Sequence, residues 1–162
     1  MEMARFDALP GPEAEEELLT CCAVPEWARK VAYGRPYPDS AALLETGSRA
    51  LAGLSWDAVL TALSAHPRIG ERAGGDSREA AWSRQEQAGA QDADRDALTA
   101  ANLAYEERFG HVFLICATGL SGAEMLAAAR ARLEHDEETE RAVVRTELDK
   151  IVRIRLRKLV ES

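Results

Sequence analysis

The run His66-Pro67-Arg68-Ile69-Gly70 sets an imidazole between a helix end and a proline, and Ser83-Arg84-Gln85-Glu86-Gln87 follows with a carboxylate on the next helical stretch. Proline disfavours the α-conformation in the residue before it, so His66 is expected to be extended. A helix ending near Ala65 turns its carbonyls toward the imidazole, and that negative dipole end favours the protonated ring. A histidine poised near neutral pH suits proton transfer. Ser83, Glu86 and Gln87 fall at i, i+3 and i+4 and so share one helix face. Taken singly, each has a plainer reading: His66 as a helix-terminating residue bonded to a nearby carbonyl, Glu86 as an exposed surface glutamate. Three polar groups on one face beside a His-Pro loop shift the balance toward function.

Other candidates carry less. His111 follows the helix-ending Gly110, and His135 precedes the acidic cluster Asp136-Glu137-Glu138. No His-x-x-x-His or His-Glu-x-x-His spacing occurs, so no metal site is expected. Gly74-Gly75 reads as a flexible turn without a phosphate-binding pattern, and no Gly-x-Ser-x-Gly elbow supports serine hydrolysis. Cys116 lies in an apolar run and reads as core. Arg153, Arg155 and Arg157 sit on the terminal helix at spacings of two, so successive side chains point about 200° apart. Arg153 and Arg157 share a face, whereas Arg155 lies at i±4 from Ile151 and Leu159, on the apolar side. An arginine there needs a partner, either a structural carboxylate or an anionic ligand.

The elements that must position these groups read as helices almost throughout. With 162 residues the chain is most simply one domain spanning 1–162, able to bury roughly 70% of its unfolded surface. Helices are expected over Glu13–Cys22, from Pro25 (with Trp27, Ala28 and Val31 inward), after Asp39 or Ser40 (Leu43, Leu44, Leu51) and after Ser55 (Trp56, Val59, Leu60, Leu63). Residues 66–75 are expected to form a loop. Further helices are expected from Asp76–Glu79 to about Ala88, and from Asp92 or Asp94 to Gly110, with Leu98, Asn102, Tyr105 and Phe109 on one side. Another follows the capping box Ser121-Gly122-Ala123-Glu124, and the last runs from Glu137 to Val160. Val112–Ala117 is the only β-like run, short enough to be an extended connector through the core. The fold class is therefore an all-α, single-domain helical bundle with a loop-borne active site.

Composition sets the outer limits. A formal net charge of −8 argues against general affinity for nucleic acid or anionic membrane. The three cysteines form no C-x-x-C pair, which fits a reducing compartment. No apolar run is long enough for a membrane span, no signal-peptide pattern is seen, and Val160-Glu161-Ser162 is no peroxisomal address. A cytoplasmic protein is the expectation.

The blocks Cys22-Ala23-Val24-Pro25-Glu26-Trp27, Ala65 to Gly70, Ser83 to Gln87, Asn102 to Gly110, Phe113 to Gly119 and Glu147 to Leu156 stand in an order that closely resembles one family. It is the 2-oxo-4-hydroxy-4-carboxy-5-ureidoimidazoline (OHCU) decarboxylases of urate breakdown. The resemblance implies an all-helical, cofactor-free enzyme, often a homodimer, that forms (S)-allantoin after urate oxidation and ring-opening hydrolysis. It places the catalytic histidine on His66 and its acidic partner on Glu86. It places substrate contacts on Pro67, Ser83, Gln87, Leu114, Ile115, Ala117 and Arg155, with Arg153 close enough to compete for the last role. One departure is His111, where many relatives have phenylalanine; this puts a second imidazole near the site. The competing reading is a non-enzymatic helical binding or regulatory module docking through its basic last helix, which would tolerate loss of His66. A related enzyme acting on another ureido or hydantoin substrate is a further alternative. The apolar stripe of the last helix would serve equally for packing within the domain or for a dimer contact.

Overall fold

Alanine, leucine, glutamate and arginine dominate the chain, and they settle into helices because their side chains lose little rotamer freedom there. The computed structural model describes residues 1–69, 81–82 and 95–161. Among these residues stand eight α-helices and no strand. They are α1 (Met3–Ala8), α2 (Gly11–Leu19), α3 (Pro25–Tyr33), α4 (Ser40–Ala52), α5 (Trp56–Ser64), α6 (Arg95–Phe109), α7 (Gly122–Arg132) and α8 (Glu137–Val160). The all-α expectation holds. The chain falls into two compact units, one formed by Met1–Ala62 with Asp149–Ser162, the other by Leu63–Leu148.

In the first unit, local chemistry sets most helix ends. Pro25 opens α3 with its φ already helical, and Val24 before it is extended (φ −120°, ψ 110°). Trp27, Ala28, Val31 and Ala32 form the buried face of α3. The Asp39 carboxylate caps α4 by accepting from the Ala42 amide at 2.8 Å, and the Ser55 hydroxyl accepts from the Ala58 amide at 3.1 Å at the start of α5. The Trp27 indole N–H donates to the Gly47 carbonyl at 3.0 Å. Gly47 suits this crossing because a Cβ there would meet Leu156 Cδ1 at 2.8 Å. From α8, Ile151, Val152, Arg155, Leu156, Leu159 and Val160 are buried. Arg153 donates from Nη1 to the Ser48 hydroxyl at 2.8 Å and to the Leu44 carbonyl at 3.4 Å, so its reach is spent on α4.

The N-terminal helices differ from expectation: α1 was not anticipated, and both ends of α2 are shifted. α2 begins at Gly11-Pro12 and stops at Leu19 rather than reaching Cys22. At its end the Thr20 hydroxyl donates to the Glu17 carbonyl at 2.6 Å, and Cys21 and Cys22 are buried in the turn before α3.

The second unit packs α6, α7 and the first half of α8. Leu98, Ala101, Asn102 and Tyr105 are the buried face of α6. The helix closes at Gly110, whose φ of 79° is the left-handed conformation glycine adopts freely. The capping box at α7 is present in both directions, Glu124 N–H to Ser121 Oγ at 3.1 Å and Ser121 N–H to Glu124 Oε1 at 3.1 Å. Val112–Ala117 forms no strand, since a strand needs an edge to pair with and its described neighbours are helices. It passes through the core as the connector anticipated from sequence, with Phe113, Leu114, Ile115 and Ala117 buried. The start expected near Asp92 or Asp94 and most of the helix expected from Asp76 lie outside the described residues; Ala81 and Trp82 are helical. Asp39→Ala is expected to lower the unfolding free energy by about 1 kcal/mol, read as a lower urea midpoint at unchanged slope.

Candidate active site

His66 follows α5 directly: the helix ends at Ser64, and the His66 amide donates to the Leu63 carbonyl at 3.0 Å. His66 and Pro67 are half-buried. Two residues one turn apart on α6 hold the loop that carries them. The Asn102 side-chain amide donates to the Ile69 carbonyl at 2.7 Å in a buried bond. Glu106 receives Arg68 through both oxygens, from Nε at 2.6 Å and from Nη2 at 3.0 Å. The fork is partly exposed and adds geometric definition more than stability. The Asn102 bond is the firmer anchor, because its loss would leave a buried carbonyl unpaired. In the sequence Asn102 figures as part of an apolar face and at the head of the Asn102 to Gly110 block; its partner lies 33 residues earlier.

A second backbone segment, Val112–Ala117, is fixed by charge. Arg132 donates from Nη1 to the Leu114 carbonyl at 2.6 Å, and Glu147 Oε1 accepts the Cys116 amide at 3.1 Å. Arg132 also pairs with Glu140, its Nε lying 2.9 Å from Oε2, and its guanidinium stands 4.6 Å from the centroid of the Phe113 ring. The Tyr105 hydroxyl donates to Glu140, and His135 Nδ1 lies 3.1 Å from Glu140 Oε1. Arg132 and Glu140 are 5% and 1% exposed, so this pair sits in the interior. Burial pushes the Glu140 carboxyl upward, but the bonds from Arg132 and Tyr105 and the guanidinium charge outweigh it and hold it below the usual 4.5. Burial, followed by the bond to Glu140, drives the Tyr105 phenol well above its ordinary value, so it stays a neutral donor. Arg132 and Glu140 carry no signal in the sequence, where polar residues on helices read as solvated faces, and Glu147 figures there only at the head of the Glu147 to Leu156 block.

The expected site residues distribute as follows. His66, Pro67, Leu114, Ile115 and Ala117 belong to the second unit, and the last three are buried. Arg155 belongs to the first unit and is 1% exposed, in keeping with its apolar-side register. Ser83, Glu86 and Gln87 lie outside the described residues. His111 packs edge-on against Tyr105, with ring centroids 5.5 Å apart, and its Nδ1 lies 3.0 Å from the Val112 carbonyl. Among the described residues no group of three or more His, Cys, Asp or Glu side chains is arranged to hold a metal ion.

With that geometry in place, comparison with known proteins becomes informative. The sequence signature of the OHCU decarboxylase family matches residues 7–157. This chain belongs to the OHCU decarboxylase family. A curated relative, the uric acid degradation bifunctional protein TTL of Arabidopsis thaliana, is 30% identical over 151 residues, covering 90% of this chain and 47% of that protein. The chain thus spans about half the length of the curated relative it matches. A crystal structure of an OHCU decarboxylase in the presence of (S)-allantoin matches with a TM-score of 0.78 at 28% identity, over 91% of this chain and 99% of that one. An (S)-allantoin synthase shares the fold, with a TM-score of 0.73 at 18% identity over 100% of this chain and 55% of that one.

Arg132→Met is expected to destabilise this OHCU decarboxylase family member by about 3–5 kcal/mol, because Glu140 would keep a buried charge without its partner. Glu140 also sets an acid limit. Its folded pKa is depressed, so its contribution is full above the ordinary value of 4.5 and is lost as pH falls through the folded value. Thermal melts of the unaltered protein should therefore drop steeply below pH 4.5, and Glu140→Gln should flatten that part of the profile.

Proposed function

We propose that this chain decarboxylates OHCU to (S)-allantoin. The observation that carries the reading is family membership over residues 7–157, joined to a histidine on a loop that α6 anchors at Ile69. In the reaction the bond from C4 to the carboxylate breaks and CO₂ departs. The electron pair forms a C4=C5 enol as the adjacent ring C=N pair moves onto nitrogen, which takes a proton; the enol then ketonises, C5 gaining a proton as the 4-hydroxyl loses one and becomes a carbonyl. Because the ring itself accepts the electron pair, the chemistry requires no added electron sink. The enzyme must orient the carboxylate, stabilise the developing oxyanion and protonate one face.

On this reading His66 orients or deprotonates the 4-hydroxyl and then assists reprotonation. Glu86 fixes the imidazole's tautomer and raises its basicity. Arg155, 1% exposed on the apolar side of α8, holds ureido or carbonyl oxygens. Arg153, whose Nη1 donates to Ser48 and Leu44, is the alternative for that role. Pro67, Ser83 and Gln87 complete the substrate contacts, together with the backbone at Leu114, Ile115 and Ala117. A homodimer and a cytoplasmic setting belong to the same reading. No described helix is long and apolar enough to cross a membrane.

The test is circular dichroism during urate conversion, with the oxidase and the hydrolase supplied and this protein added last. One-handed allantoin should appear rapidly. His66→Asn is expected to reduce turnover by at least about 10²-fold with far-ultraviolet dichroism unchanged. Slow racemic product, indifferent to the protein, would instead identify a helical module without this activity.

A further inference from the structure

The connector Val112–Ala117 runs through the core without helical or ladder hydrogen bonds, so each of its backbone polar groups must find another partner. Two are met by charged side chains from different helices. Arg132 of α7 serves the Leu114 carbonyl, and Glu147 of α8 serves the Cys116 amide. Glu147 is 9% exposed, and a carboxylate accepting from an amide makes a bond roughly twice as strong as a neutral one. The neighbouring amides are treated differently. Those of Leu114, Ile115 and Ala117 donate to no acceptor among the described residues, although these residues are only 3%, 7% and 3% exposed. Buried amides without acceptors are rare in native proteins and point to a ligand.

We propose that Glu147 is a positioning residue for the active site. By fixing the Cys116 amide it sets the height and rotation of the connector and leaves the amides of Ile115 and Ala117 on either side to hydrogen-bond the carbonyl groups of the ureido-ring substrate. This rests on the decarboxylase reading above. Glu147 touches no reacting atom; it acts through the peptide groups beside Cys116. The acceptor oxygen does this work, and the negative charge contributes its strength. A glutamine, which keeps the oxygen, preserves the geometry, while a methionine of similar length removes it.

The test compares Glu147→Gln and Glu147→Met by steady-state kinetics on enzymatically generated OHCU, with uncatalysed decay subtracted. Glu147→Met is expected to raise KM by about tenfold, the worth of one well-placed hydrogen bond, with kcat altered much less. Glu147→Gln should stay close to the unaltered protein. A folded Glu147→Met protein with unchanged KM overturns the proposal, and so does a Gln variant as impaired as the Met variant. Should Glu147→Met fail to fold, titration of the unaltered protein with (S)-allantoin decides by amide NMR shifts. Movement at Ile115 and Ala117 with Cys116 still supports the assignment. A Cys116 shift as large as theirs, or none at any of the three, overturns it. If the unaltered protein has no turnover, the decarboxylase reading fails, and that is seen before any variant is made.

Discussion

A guanidinium and a carboxylate share the interior of the second unit, and the organisation of that unit follows from satisfying both. Taking two charges out of water costs several kcal/mol each, which their mutual attraction repays only if the remaining donors and acceptors are also met. Here they are. Glu140 receives Arg132, the Tyr105 hydroxyl and the edge of His135. Arg132 spends a further N–H on the Leu114 carbonyl and lays its face against Phe113. The pair therefore does more than cancel charge. It ties α6, α7 and α8 to a stretch of irregular backbone that has no secondary structure of its own to hold it.

The same helix that feeds Tyr105 into this network also holds the His66 loop. Asn102 and Glu106 lie one turn apart on α6 and grip Ile69 and Arg68. A single helix thus sets the position of a candidate general acid-base and, through Tyr105 and Glu140, of the backbone segment proposed to bind the substrate ring. Catalysis by orientation depends on such rigidity, since a misplacement of about 1 Å can cost on the order of 10²-fold in rate. His111 packs among these aromatic rings, against Tyr105 and Phe109.

Much of this was legible in the amino-acid order because the signals are local. Asp39, Ser55 and the Ser121-Glu124 box mark helix starts, since each side chain bonds an amide three residues on. Gly110 marks a stop by its left-handed φ. The register of Val144, Leu148, Ile151, Leu156 and Leu159 placed Arg155 on the buried side of α8, where it lies. The roles of Asn102, Arg132, Glu140 and Glu147 were not legible. Glu140 sits in a run of acidic residues that reads as a solvated face, and nothing in its neighbours announces a tyrosine 35 residues away.

Sequence alone determined the helical class, most breaks between the described helices from α3 onward, the faces that turn inward and the family to which the chain belongs. Each of these depends on residue type and on spacings of one or two turns, distances over which the backbone itself fixes who meets whom. Tertiary structure decided which buried polar groups satisfy one another, and so how the loop after α5 and the connector after α6 are held. Those bonds join residues up to 38 apart, and no local periodicity encodes them. They arise when packing removes water from several helices at once and leaves each stranded donor or acceptor to the nearest partner.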